Sequence, residues 1–228
     1  MAPPPTVQAT LQSSLLAAVS NILAQAITAY KKNEAVTIDW VPVFQFVLFA
    51  VVSTPPNFLW QDFLESTFPA HPTPPPSKSS PGSSKEKDKD KDKSPSSSSS
   101  PPKLSLTNTI IKFVLDQTVG AALNTLLFST FTRSLRYAML HAPRITNLPA
   151  AAKYWSSPNA VDFRVVDFAV VWEEAKAEFW SLMIAAAKLW PAVSLINFTL
   201  VKSVQGRNLV GALAGVVWGV YVSLAMGG

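Results

Sequence analysis

A chain of 228 residues, 48% of them hydrophobic and with a net charge of only +5, has the apolar content of a large core or of membrane spans and little charge to offer a polyanion. Much of that charge sits in one segment, where seven lysines alternate with or flank four acidic residues for a net of +3; no basic patch interleaved with aromatics occurs, so nucleic acid is not an expected partner. The absence of cysteine excludes disulfides, thiolate metal sites and a cysteine nucleophile, and two histidines, His71 and His141, are too few for a histidine-centred catalytic or metal cluster, so neither a metal nor another cofactor is expected.

The chain opens MAPPPTVQ, with no basic region ahead of an apolar one, so neither a secretory signal nor an arginine-rich presequence is visible. The first apolar stretch, residues 11–30, is interrupted by Gln12, Asn21 and Gln25 and is expected to pack against other helices instead of facing lipid all round. The second, residues 40–60, reads WVPVFQFVLFAVVSTPPNFLW. Its terminal tryptophans, one bilayer apart, fit the two aromatic belts of a membrane span.

Residues 68–103 are rich in proline, serine, lysine and aspartate. With almost nothing apolar in it, this segment cannot build a core and is expected to be a solvated linker. It separates an N-terminal helix pair, 1–67, from C-terminal membrane helices, 104–228.

The third span, roughly 106–131, carries IIKFVLDQTVG. Lys112 and Asp116 are four residues apart and share a helical face, with Gln117 next to them. A carboxylate at membrane depth costs ~3 kcal/mol or more on insertion scales, so Asp116 is expected to point inward and find a cation in Lys112, Lys188 or Arg207. The alternative is that Lys112 and Asp116 lie near the interface.

Further on, the stretch from Asp167 begins amphipathic and becomes apolar after Glu178, leading into KLWPAVSLINF. Pro191 lacks an amide proton, so a kink is expected where the carbonyl of Ala187 loses its partner, with Ser194 and Asn197 available to compensate. Lys188 and Asn197 are candidate polar lining, and Trp190 a boundary anchor.

The last span, 209–226, is uncharged, and Gly211, Gly215 and Gly219 recur every four residues along one face. That pattern predicts close helix packing, within the chain or between copies. The fold class is therefore all-α: a multi-pass transmembrane bundle of four or five helices, with the lipid bilayer as its first partner.

In order, Lys112, Asp116, Gln117, Trp190, Pro191, Asn197, Phe198, Arg207, Trp218, Tyr221 and Ser223, with Pro55, Trp60 and Leu64 upstream, resemble the signature of the Mpv-seventeen and peroxisomal-membrane-protein-twenty-two family. The chain departs from it at Phe58, Gln61, Ala122, Ser194, Val201 and Lys202, and the long linker resembles an insertion in a connection that is usually short. The resemblance implies a multi-pass protein of the peroxisomal membrane or mitochondrial inner membrane, associated with permeability to small solutes and with organelle homeostasis.

Three functions follow. The first is a low-selectivity channel or solute pathway in which Lys112, Asp116, Gln117, Lys188, Asn197 and Arg207 form the polar interior. The second is a scaffold or tether whose linker binds a partner protein. The third is an intramembrane enzyme, which ranks lowest, since no nucleophile with a base at recognisable spacing and no nucleotide-binding fingerprint occurs. The chain is not expected to be an enzyme.

Overall fold

The computed structural model describes residues 3–70, 105–158 and 160–226. Nearly all of the expected linker, with His71 and its alternating charges, lies outside these residues, as does the side chain of Ser223. Eight α-helices are present: α1 (Pro5–Lys32), α2 (Trp40–Thr67), α3 (Leu106–Leu115), α4 (Ala121–Ala138), α5 (Leu148–Trp155), α6 (Phe168–Ala186), α7 (Trp190–Thr199) and α8 (Val204–Met226), and no strand occurs among the described residues.

Local chemistry sets most of the helix ends. Proline in the first turn starts α1, and Asn33, at φ 54°, closes it in the left-handed conformation that asparagine tolerates. The Asp39 carboxylate accepts the Val41 amide at 3.1 Å to cap α2. Asn147 and Asp167 cap α5 and α6 in the same way.

Between α3 and α4, residues Asp116–Gly120 form a single π-helical turn, so that Leu106–Ala138 is one rod of 33 residues. A π-turn of this kind inserts an extra residue and is frequent at functional sites. The span is longer than the sequence suggested and carries Arg133 and Arg136 in its last turns.

Three helices are long and apolar enough to cross a membrane, Pro5–Lys32, Trp40–Thr67 and Leu106–Ala138; α6 and α7, bent by 57° at their break, make a fourth if the pair is one span. The 23-residue α8 is the fifth long helix and is uncharged from Leu209 onward. At Pro191 the structure departs from the expected kink: the helix stops. The amides of Lys188 and Leu189 turn back to the carbonyls of Ala185 and Ala186, and α7 restarts with Pro191 in its first turn, where a missing amide proton costs nothing.

Polarity is distributed as a membrane protein requires. Leu11, Leu15, Val19 and Leu23 form an exposed stripe at four-residue spacing along α1, and Leu209, Leu213, Val217 and Tyr221 repeat it on α8. Trp180 of α6 is 70% exposed. By contrast Ser20, Asn21, Thr54, Gln61, Thr109, Lys112, Ser194, Asn197, Arg207 and Asn208 are all buried. Water as the outer solvent would strongly disfavour such stripes; lipid accepts them.

The helix α1 packs along both α2 and α8, while α4 packs on α2 and α6. One end of the bundle holds an apolar cluster of Val41, Leu135, Met139, Ile145 and Ala151, with Phe44 stacked on Trp155 at 4.8 Å. At that end Gln25 of α1 holds the backbone of Asp39 on both sides, accepting its amide at 2.7 Å and donating to its carbonyl at 2.8 Å. Asn21 and Gln25 of α1 thus face inward, as these two interruptions in the sequence implied.

At the opposite end, the first three residues of the expected linker are packed. The Ala70 carbonyl accepts the Ser105 amide at 2.8 Å and the Pro69 carbonyl accepts from Asn108 at 2.9 Å. The chain therefore leaves and re-enters the bundle at one point, the geometry expected of an insertion into a short connection.

The glycine face of α8 divides into two parts. A Cβ on Gly219 would lie 2.2 Å from Ser20 Oγ, which donates to the Val216 carbonyl at 3.0 Å, so only glycine allows this approach of α1. Gly211 and Gly215 face open space instead, so within the described chain the close packing expected of this face is made at Gly219 alone. Gly219→Val should lower the stability of the detergent-solubilised protein by roughly 1–3 kcal/mol through overpacking. Gly211→Ala and Gly215→Ala should be neutral or stabilising by up to about 1 kcal/mol. Thermal unfolding followed by tryptophan fluorescence measures all three.

Candidate functional site: a polar interior between α2, α3, α7 and α8

Two carboxylates organise the interior. The first is Glu65, near the end of α2. Its Oε2 accepts from Lys112 Nζ at 2.7 Å and also from Arg207 Nη1, while Oε1 accepts the Ala70 amide at 3.1 Å. Lys112 is fully buried and Arg207 1% exposed, and among the described residues both cations pair with Glu65 alone.

Arg207 also ties two helices together. Its Nε donates to the carbonyls of Asn197 and Val201 at 3.1 and 3.0 Å, satisfying acceptors that the end of α7 leaves without helical partners. Asn197 returns a bond from its amide to the Arg207 carbonyl at 3.2 Å. The ring of Phe198 lies 5.1 Å from Lys112 Nζ and 5.6 Å from the Arg207 guanidinium carbon, within the range of cation–π attraction.

The second carboxylate is Asp116, at the start of the π-turn. Trp60 Nε1 and Gln61 Nε2 donate to Oδ1 at 3.2 and 3.0 Å; Ser194 Oγ and Gln117 Nε2 donate to Oδ2 at 2.7 and 3.3 Å. All four donors are neutral. Gly120, one turn on, makes room: a Cβ there would lie 2.8 Å from Trp60 Nε1.

Asp116 and the ring of polar side chains around it line a cavity of about 290 Å³. Gln61, Gln117, Asn124, Asn197 and Asn208 bring amides to its wall, and Gly211 and Gly215 leave it open along α8. Three buried polar atoms here have no partner among the described residues: Gln61 Oε1, Asn197 Oδ1 and Asn208 Nδ2. Groups of this kind are satisfied by water or by a polar guest.

The positions foreseen from sequence are distributed as follows. Asp116, Gln117, Asn197 and Arg207 line the cavity, and Lys112 is held behind Glu65. The cation expected for Asp116 is not found in Lys112, Lys188 or Arg207: Glu65 takes both buried cations, and Asp116 takes neutral donors. Lys188 is exposed at the break between α6 and α7 and takes no part in the interior, because the helix stops there and turns it outward. Ser194 spends its hydroxyl on Asp116, not on the backbone freed near Pro191.

Trp60 belongs to the interior and does not mark the end of its helix. Of the remaining signature aromatics, Trp218 lies between Trp190 and Tyr221, at ring distances of 6.5 and 5.5 Å. Glu65, Trp60, Gln61, Ser194, Asn208 and Gly120 were not singled out as site residues. Their signal is a face of α2 in which Thr54, Phe58, Gln61 and Glu65 follow at steps of four and three, all inward; it becomes visible once the helix is continued past Trp60.

Among the described residues, no group of three or more histidine, cysteine, aspartate or glutamate side chains is placed to hold a metal. The arrangement can hydrate, orient and hydrogen-bond a small polar guest, inside a bundle whose outer surface is apolar. A helical bundle with that inversion is a multi-pass integral membrane protein. Residues 163–223, from the short turn before α6 through most of α8, match the model of the Mpv17 / PMP22 family. No curated protein and no solved structure matches the chain.

The two kinds of carboxylate contact differ in what their loss costs. Glu65→Gln leaves two buried cations without a counter-charge and should destabilise the protein by ~3–5 kcal/mol. Glu178, which pairs with Arg133 of α4 while 44% exposed, is expected to cost no more than about 1 kcal/mol when changed to glutamine. Thermal unfolding in detergent compares them; equal losses would contradict a special role for the Glu65 cluster.

Proposed function

We propose that the protein is a pathway for small polar solutes across an organellar membrane, the peroxisomal membrane or the mitochondrial inner membrane. The reading is carried by one observation, the cavity of about 290 Å³ lined by amides, hydroxyls and the Asp116 carboxylate within lipid-facing helices. At roughly 30 Å³ per water molecule, such a space holds on the order of ten waters. The family match in α6, α7 and α8 is in keeping with this role, since these helices supply Ser194, Asn197, Arg207, Asn208 and the open glycine positions.

In this reading the described conformation is a resting one. The Glu65–Lys112–Arg207 cluster lies at one end of the cavity, and Phe46, Phe49 and Phe128 stand at the other, with Phe49 edge-on to Phe128 at 5.2 Å. Passage requires either the ion cluster or the aromatic wall to part. Selectivity is then low and set by size and hydrogen bonding, because the donors around Asp116 are neutral.

Efflux of a small polar solute from liposomes containing purified protein tests the proposal. Asp116→Leu removes the acceptor that gathers Trp60, Gln61, Gln117 and Ser194, and should lower flux by about tenfold or more, equivalent to ~1.4 kcal/mol of barrier, while the protein still inserts. Glu178→Gln, on the outer face, should leave flux unchanged. No flux above protein-free liposomes, or flux indifferent to Asp116, would refute the pathway.

A further inference from the structure

A second and larger cavity, of about 470 Å³, opens at the end of the bundle that carries the connection from α1 to α2. Its floor is apolar, built from Phe46, Phe49, Phe128, Leu135 and Val222, and its rim holds Lys32, Arg136 and Arg144. The three cations are exposed, and none is within ion-pairing distance of a carboxylate among the described residues. Glu34 also lines the cavity, leaving an excess of two positive charges.

The neutral polar groups of this cavity are already engaged. Both ends of the Gln25 amide hold Asp39, Thr28 and Thr132 bond to their own helices, and Gln45 reaches the sulfur of Met139 at 3.7 Å. Arg144 makes one bond, to Thr37 at 2.8 Å, which leaves most of its donors free. A guest would therefore meet charge at the mouth and hydrocarbon beneath, with few neutral donors between.

We infer that this cavity is a binding site for a soluble amphiphilic anion, a carboxylate or phosphate carried on a compact apolar body, entering from the aqueous end of the bundle. Arginine suits the head group, since its planar fork binds carboxylate and phosphate in a bidentate fashion. The volume is that of a small-molecule pocket, and the opening lies among α1, α2 and α4, inside the ring of helices. A two-chain phospholipid would need more room than the cavity offers, so the soluble anion is the better occupant. Binding here is independent of whether the deeper polar cavity conducts, although both cavities share Phe46, Phe49 and Phe128 as a wall.

The test is equilibrium binding of radiolabelled octanoate to the full chain in nanodiscs of phosphatidylcholine, with empty nanodiscs subtracted. Saturable binding at one site per chain is expected, weakening as salt is raised and at least tenfold stronger than for the uncharged octanamide. The exposed pair Arg136→Gln/Arg144→Gln should fold normally by circular dichroism and lose about tenfold or more in affinity, the scale of a charge-assisted bond. Asp116→Leu should bind as wild type does, which separates this site from the solute pathway. Absence of saturable binding, equal binding of octanamide, or full retention by the double variant would overturn the inference. So would displacement of octanoate by phosphatidic acid placed in the nanodisc, which would assign the site to lipid.

Discussion

The fully buried Lys112 and Arg207 must find negative charge inside the protein, and Glu65 is where they find it. That requirement fixes the relative positions of three helices, because Glu65 stands near the end of α2, Lys112 on α3 and Arg207 on α8. Lipid outside makes the constraint severe: a buried cation that loses its counter-charge there is strongly destabilising. Arg207 extends the cluster to α7 through the carbonyls of Asn197 and Val201, and Phe198 packs beneath both cations. The bend at α6–α7 is held by this arrangement, since it delivers the end of α7 to the Arg207 side chain.

With the cations satisfied by Glu65, Asp116 is left to organise neutral donors. Trp60 and Gln61 come from α2, Ser194 from α7 and Gln117 from the π-turn itself. Glycine at position 120 lets the indole approach. The result is a hydrogen-bonding interior in which amides, hydroxyls and the Asp116 carboxylate meet a guest, with Arg207 as the one cation in the lining. A site of this kind discriminates weakly among small polar solutes.

Much of the architecture was legible in the sequence because membrane spans are limited by length and polarity, and both are read residue by residue. The inward face of α1 was signalled by Asn21 and Gln25, and the shared face of Lys112 and Asp116 by their spacing of four. Partner choice was not legible. Glu65 lies beyond Trp60, where the hydrophobic run ends next to Asp62, and its inward direction depends on α2 continuing to Thr67. Lys188 looked equivalent to Lys112 in composition, but Pro191 ends the helix and leaves Lys188 outside. Gly211, Gly215 and Gly219 share one face by periodicity, while only the neighbouring helix decides which of them is touched; Ser20 of α1 meets Gly219, and the cavity meets the other two.

The most direct measurement uses the absence of cysteine from the chain. Single cysteines at Gly211 and Gly215, on the cavity face of α8, and at Leu213 and Val217, on its lipid face, are exposed in proteoliposomes to a charged, membrane-impermeant thiol reagent. A water-filled interior predicts modification at positions 211 and 215 and protection at 213 and 217. Protection at all four positions, or modification of the two lipid-facing ones alone, would contradict a hydrated cavity within the bundle.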